Sequence, residues 1–340
     1  MNMRKKIGII LGLVMLTIAV LAGCGAATNG SSASGESSNV ASAPAAASPA
    51  KLTVKMLNVG QGDAILVQTA EQTVLVDTSD VDERDKLKRE LDKAGVRKID
   101  KVILTHPHAD HIGGMALLLK DYEVGEVYDN GMPSTSKIYI NYMKELKAKG
   151  IKRHALKDGD VLDFGSGVSF QVMFPSAEIA AAGTEPGYKH DPNNESVVGK
   201  LICGEFSMLL TGDAEKEVEE KLLAAHWADL HSTILKSGHH CSATASSVHF
   251  LKAVWPETVL ISCGAGNDYG HPHPDVLARY LAEPKFTDRR DGKTKKTKLV
   301  KNDKGEILKA KVYETDKNGT ITVTTDGNTY EVTAEQGAAQ

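Results

Sequence analysis

The chain has 340 residues, 41% hydrophobic and 25% charged, with a net charge of −4. That is the composition of an ordinary globular protein, with apolar material for one large core or two modest ones. It excludes a globally basic nucleic-acid binder, so any basic surface has to be local.

At the N-terminus, Arg4, Lys5 and Lys6 precede an apolar run from Ile7 to about Ala22 that ends in LAGC. The run is shorter than the about 20 residues a helix needs to span a bilayer. This order of basic stretch, apolar run and small residues before a cysteine resembles the signal peptide and lipobox of bacterial lipoproteins. The resemblance implies a signal peptide over 1–23 and Cys24 as the lipid-bearing N-terminus, at the extracytoplasmic face of the cell membrane. An uncleaved anchor helix or an ordinary secretory signal is the alternative. Residues 24–50 are almost all Ala, Ser, Gly and Pro. They cannot bury enough apolar surface to offset their ordering entropy and read as a flexible tether.

A folded domain is expected over 51–335. LTVKMLNVG alternates in polarity and reads as a strand. GQGDAILVQT turns into a second strand, and QTVLVDTS is a third that ends on Asp77. DERDKLKRELDKAG has helical character and closes on Gly95. IDKVILTH is the continuous apolar strand of a buried sheet, and it delivers THPHADHIGG, with three histidines and an aspartate within six positions, before the helical HIGGMALLLK.

The second half follows the same order. ESVVGKLICGEFSMLLTGD is a strand pair ending on Asp213, AEKEVEEKLLAAH a helix, STILKSGHH a strand ending on His239 and His240, and SSVHFLKAV a helix. The interval from Asp to the first His is 29 residues in one copy (77 to 106) and 26 in the other (213 to 239). This is an internal duplication of an α/β unit. Ligands bind at strand ends on one edge of α/β sheets. Two such units facing each other form a four-layer αββα sandwich, with both Asp/His edges in one cleft. Cys203, Cys241 and Cys263 are odd in number and irregularly spaced, which argues for one disulfide at most.

His106, His108, Asp110 and His111 offer imidazole and carboxylate donors suited to Zn²⁺, Mn²⁺ or Fe²⁺. Residues two apart in an extended segment point the same way. His106 and His108 can therefore share one metal, and Asp110 and His111 a second. The small Gly113 and Gly114 permit close backbone approach.

HPHADHIGG resembles the HxHxDH signature of the metallo-β-lactamase superfamily. LNVGQGDAILV, VDT, NNES, LLTGDAE, LKSGHHCS and YGHPHPDVL resemble, in order, the blocks of its ComEC-like branch, named for the extracytoplasmic domain of a competence protein. The similarity covers about residues 52–282 and resumes at VYETDKNGTITVTTDGNTYEV. It implies a hydrolase with two divalent ions, zinc or manganese, and a metal-bound hydroxide as nucleophile. By the same resemblance His106 and His108 hold metal 1, Asp110 and His111 metal 2, and Asp213 bridges both. His240, or else His239, completes metal 2, and Asp77 orients a ligand by hydrogen bond. The other reading of Asp213 is a helix N-cap.

One departure stands out. Most hydrolases of the superfamily give metal 1 a further histidine just before the strand pair, where this chain has DPNNES. Asn193 and Asn194 offer only carboxamide oxygens, so metal 1 is expected to be looser or suited to Mn²⁺. The ComEC-like branch also carries Asn here. His190 is a substitute donor a few residues upstream, and turn formation is the structural reading of the asparagines. His271 and His273 precede a helix with Pro274 at its first position. At least one of them is expected to contact the substrate phosphate or leaving group, along with Asp110 at the reacting centre. Cys241 is either a thiolate ligand or, by preference, a small buried residue.

The segment 285–311 is strongly basic from 288 on and interrupts the resemblance. It reads as a loop or hairpin, either a solvated insertion or a sequence-blind contact for an anionic polymer. Together these features point to a lipid-anchored metallohydrolase outside the cytoplasmic membrane, with DNA or another anionic polymer as substrate and phosphodiester hydrolysis as first expectation. Hydrolysis of another ester, a lactam or a wall polymer is the alternative, and a non-catalytic polymer binder is a third. Nothing in the sequence points to a protein partner.

Overall fold

A computed structural model describes residues 51–340. The expected signal peptide, Cys24 and the tether lie outside the described residues. The first run of elements is β1 (Leu52–Met56), β2 (Ile65–Gln68), β3 (Thr73–Val76), α1 (Arg84–Lys93), β4 (Lys98–Leu104), α2 (Ala109–Ile112), α3 (Met115–Asp121), β5 (Glu123–Asp129), α4 (Lys137–Lys149) and β6 (Lys152–Ala155). The second is β7 (Val161–Asp163), β8 (Val168–Phe174), α5 (Ala177–Ala182), β9 (Val198–Cys203), β10 (Phe206–Leu210), α6 (Lys216–His226), β11 (Ile234–Lys236), α7 (Val248–Val254), β12 (Thr258–Ile261) and α8 (Pro274–Tyr280). The chain ends with β13 (Lys285–Thr287), β14 (Thr294–Lys296), β15 (Lys311–Glu314), α9 (Thr315–Asn318), β16 (Ile321–Thr325) and β17 (Tyr330–Ala334).

Fifteen of these strands form two sheets, ordered β17-β16-β1-β2-β3-β4-β5-β6 and β15-β12-β11-β10-β9-β8-β7. Side-chain alternation explains why they stack. Along β3, Val74 and Val76 face the other sheet while Leu75 faces the helices; along β10, Met208 and Leu210 face inward and Leu209 outward. Period-2 strands that are apolar on both faces need cover on both. Phe164, Phe170 and Leu201 fill the space between the sheets. Leu87, Leu91, Met115, Leu118 and Leu146 cover the first sheet, and Val218, Leu222, Phe250 and Tyr280 the second. Each such side chain fully buried stabilises the fold by about 1.5–3 kcal/mol before entropy is counted.

This is the expected four-layer αββα sandwich. The duplicated order is visible as β3–α1–β4 and β10–α6–β11, each a helix joining neighbouring parallel strands. The two halves are not contiguous segments, however. After β15 completes the second sheet, β16 returns to pair antiparallel with β1 of the first. The domain also extends past residue 335, since Gln340 exchanges backbone hydrogen bonds with Val312 at 2.9 and 3.3 Å. The basic segment begins as a separate hairpin, β13–β14, outside both sheets. Cys203, Cys241 and Cys263 are all buried and free.

Candidate metal centre

Parallel strands deliver the polar residues to one edge. Asp77 follows β3, His106 follows β4 by two residues, Asp213 follows β10, and His239 and His240 follow β11. The HxHxDH loop then folds back tightly. A Cβ on Gly113 would lie 2.3 Å from the Val81 nitrogen, and one on Gly114 2.2 Å from the Thr78 carbonyl oxygen, so only glycine permits this approach.

Each histidine is oriented by what its other ring nitrogen touches. His111 Nδ1 lies 2.8 Å from Asp77 Oδ2. His240 Nδ1 donates to the Ser262 carbonyl at 2.9 Å. His106 Nδ1 meets the hydroxyls of Thr105 at 3.1 Å and Ser196 at 3.3 Å. All three therefore turn Nε2 into the cleft, the arrangement by which second partners fix metal-binding imidazoles.

The inward atoms form two groups that share Asp213. Asp110, His111, Asp213 and His240 present ligand atoms that all lie within 4.8 Å of one another. Asp213 Oδ2 is 3.2 Å from His111 Nε2, 3.5 Å from His240 Nε2 and 3.9 Å from His106 Nε2. His106 Nε2 and His108 Nδ1 stand 3.0 Å apart. His111 Nε2, His240 Nε2 and Asp213 Oδ1 are buried with no hydrogen-bond partner among the described residues. Orphaned buried polar atoms are costly, and donors of this kind converging at this spacing suit divalent cations. Charge agrees. Asp63, Asp77, Asp110 and Asp213 gather at the site with one buried ammonium among the described residues, Lys236, whose Nζ is 2.6 Å from Asp63 and 3.7 Å from Asp213. The residues thus fit the metals that the resemblance implies.

The electrostatics of the bare cluster follow. Burial pushes the His111 pKa down, but Asp213, Asp110 and Asp77 outweigh it and raise it well above the usual histidine range. Burial would raise Asp213, yet His111 and His240 hold it well below the usual carboxylate range.

The structure separates several residues that the sequence left together. His240 belongs to the Asp110, His111 and Asp213 group; His239 lies outside that group, its Nδ1 2.8 Å from Glu215, but it lines the cavity with its Nε2 3.8 Å from Asp213, no farther than His106. Asn193 lines the cavity with a buried Oδ1 that has no partner among the described residues. Asn194 points away, donating to Asp191 at 2.9 Å and accepting from the Glu215 amide at 3.2 Å. His190 is bound to Glu195 at 3.1 Å and does not substitute as a donor. Asp213 is not a helix cap, since Glu215 holds the N-cap position of α6, which begins at Lys216. His271 lines the cavity, its ring 5.5 Å from that of His239. Burial, with the neighbouring His240 and His239, brings its pKa down to about 4. His273 does not line the cavity: its Nδ1 accepts the Asp275 amide at 3.3 Å and caps α8. Cys241 packs in the core, where burial pushes its thiol up to about 12, so it is no thiolate ligand.

Sequence reasoning missed Asp63, Lys236 and the cavity walls. Lys236 did leave a signal, as a lone charge at the end of an apolar strand. The cavity, about 550 Å³, is also lined by Gln61, Asp80, Asp82, Glu83 and Tyr269. His239, His240 and Cys241 all have positive φ (45°, 52° and 65°), three consecutive non-glycine residues in the left-handed region. Strain of this kind persists where surrounding structure holds it.

Residues 57–264 match the metallo-beta-lactamase superfamily. The chain is 33% identical to ComE operon protein 3 of Bacillus subtilis over 243 residues, 66% of this chain and 30% of that protein. It is 33% identical to Competence protein ComA of Neisseria gonorrhoeae over 230 residues, covering 67% and 29% of the two chains. Ribonuclease Z of Bradyrhizobium diazoefficiens is 31% identical over 111 residues, 30% of this chain and 36% of that one. The chain thus spans under a third of the length of the two competence proteins. On its motifs, its fold and this match, the chain belongs to the metallo-beta-lactamase superfamily, on the ComEC-like branch.

Proposed function

We propose that this chain is a phosphodiesterase that cleaves nucleic acid, dependent on two divalent ions, zinc or manganese. The observation that carries the reading is the pairing of a cavity lined by polar side chains with a buried Asp/His set whose inward atoms lack partners among the described residues. Ribonuclease Z among the relatives, and competence proteins among the longest matches, support nucleic acid as the substrate. Asn193 in place of a third histidine disfavours a di-zinc lactamase.

His106, His108 and Asp213 would hold one ion, and Asp110, His111, His240 and Asp213 the other. When bound, the ions supply Lewis acidity, which acidifies water and offsets negative charge on the phosphoryl oxygens. The chain's own groups do the rest. Asp77, Ser262, Thr105 and Ser196 hold the imidazoles in one tautomer. His271, neutral at pH 7, offers a ring N–H to the leaving oxygen as a hydrogen-bond donor. Asn193 Oδ1 is placed to accept a hydrogen bond from water or substrate.

We further propose that the protein acts at the extracytoplasmic face of the membrane, held by lipid on Cys24. This rests on the sequence of residues 1–24.

The test uses the full-length protein stripped of metal and reloaded with Zn²⁺ or Mn²⁺. Hydrolysis of bis(p-nitrophenyl) phosphate and of a single-stranded oligonucleotide is expected, falling at least 100-fold in Asp110→Ala. Tight metal binding without turnover of any phosphodiester would overturn the reading.

A further inference from the structure

Asp80, Asp82 and Glu83 contribute carboxylates to the cavity wall, and Glu83 is paired with Lys86 at 2.7 Å, a lysine that lines the adjoining cavity with Arg89 and Lys93. Among the described residues no lysine or arginine lines the metal cavity itself. Tyr269 also lines it, 73% exposed, its ring within 21° of parallel to that of His271 at 5.8 Å.

The basic hairpin reaches the rim at this tyrosine. Arg289 donates to the carbonyl of Gly270, the next residue, at 3.4 Å. Phe286 on β13 stands 6.3 Å from His273 at the start of α8. Within the hairpin, Asp288 binds Arg290 and Lys295. Lys285, Arg289, Lys293 and Lys296 are exposed and form no ion pair among the described residues. An exposed aromatic ring beside unpaired cations is the pairing that single-stranded nucleic acid needs, with bases on the ring and phosphates on the charges. A duplex buries the faces of its bases and cannot use the ring.

We propose that Tyr269 and the hairpin 285–296 form a docking strip for single-stranded nucleic acid beside the metal cavity. Delivery of the strand to the metals for cleavage rests on the phosphodiesterase reading; docking does not.

Binding is measured by fluorescence anisotropy on the full-length, metal-loaded protein, with a phosphorothioate oligothymidylate that resists turnover. In the triple variant Arg289→Gln, Lys293→Gln, Lys296→Gln, affinity is expected to fall at least tenfold. The slope of log affinity against log salt should become shallower by about 2, since each single-strand phosphate contact contributes about 0.7. Tyr269→Ala should weaken binding about fivefold or more, and Tyr269→Phe should restore it. An unchanged salt slope in the triple variant overturns the strip. If Tyr269→Ala weakens an abasic oligomer equally, or neither, base stacking is wrong and the ligand is a base-free phosphodiester polymer. With an unmodified strand at subsaturating concentration, the triple variant is expected to cleave more slowly than the parent protein, and equal rates overturn delivery from the strip. If no phosphodiester is hydrolysed while the binding losses hold, the phosphodiesterase reading has failed and the strip stands.

Discussion

Asp77 Oδ2 and His111 Nδ1 are 2.8 Å apart, and both side chains are shut away from solvent. The same carboxylate accepts the Thr105 amide and hydroxyl, each at 2.8 Å. Its three acceptor contacts are thus filled by the residue before His106 and by His111 itself, so one carboxylate fixes ligands of both proposed ions. In Asp77→Asn, an amide N–H₂ faces one of these donors. Divalent-ion affinity, measured by chelator competition, is expected to fall about 10- to 100-fold. An unchanged affinity would show that His111 is held by other contacts.

Lys236 is the buried counter-charge of the site. Burial opposes its charge, but Asp63 and Asp213 raise its pKa, so it stays an ammonium. Its Nζ also donates to the Gly212 carbonyl at 2.7 Å. In Lys236→Met, two buried carboxylates lose their cation. Metal-free protein is expected to lose about 3–5 kcal/mol in urea unfolding, and metal-loaded protein less, because the ions neutralise the same carboxylates. Equal losses with and without metal would contradict a shared electrostatic role.

Asn193 stands where the superfamily pattern calls for histidine. Its Oδ1 is buried without a partner, and its Nδ2 donates to Glu215 at 3.3 Å. Asn193→His supplies a softer donor at the cavity wall. The weaker of the two proposed metal equivalents, resolved by calorimetric titration with Zn²⁺, is expected to bind at least tenfold tighter. No change would place residue 193 outside reach of either ion.

Glu219 supports the histidine loop from behind, accepting the Ser246 amide and the Ser247 amide, the latter at 2.8 Å. Burial raises its pKa above 4.5, against the lowering effect of those amides. A carboxyl with a raised folded-state pKa binds its proton more tightly folded than unfolded. Its contribution is therefore full below pH 4.5 and is lost as pH rises through the folded pKa. Glu219→Gln removes that dependence and sets an amide donor against one backbone N–H, costing about 1–3 kcal/mol. The wild-type advantage in urea midpoint, measured on metal-free protein, should shrink from pH 4.5 upward. A gap that widens with pH would reverse the assignment.

The sequence by itself determined the αββα class, the duplicated strand–Asp–helix–strand–His order and the HxHxDH cluster. Those signals are local, set by the period of apolar residues and by side chains a few positions apart. Only the tertiary structure put His240, and not His239, in the group with Asp110, His111 and Asp213, because neighbouring residues share a sequence context and are separated by backbone torsion, here a left-handed run. It also separated Asn193 from Asn194, and made His271 a cavity residue and His273 a helix cap. Lys236 gained its role only when folding buried it against Asp63, far off in sequence. The basic stretch 288–311 read as sequence-blind because it carries no stacking aromatic; Tyr269 lies outside it and becomes its neighbour only where the hairpin folds onto the rim. Such pairings join residues far apart along the chain, and burial and closure of the fold decide them, not any local pattern.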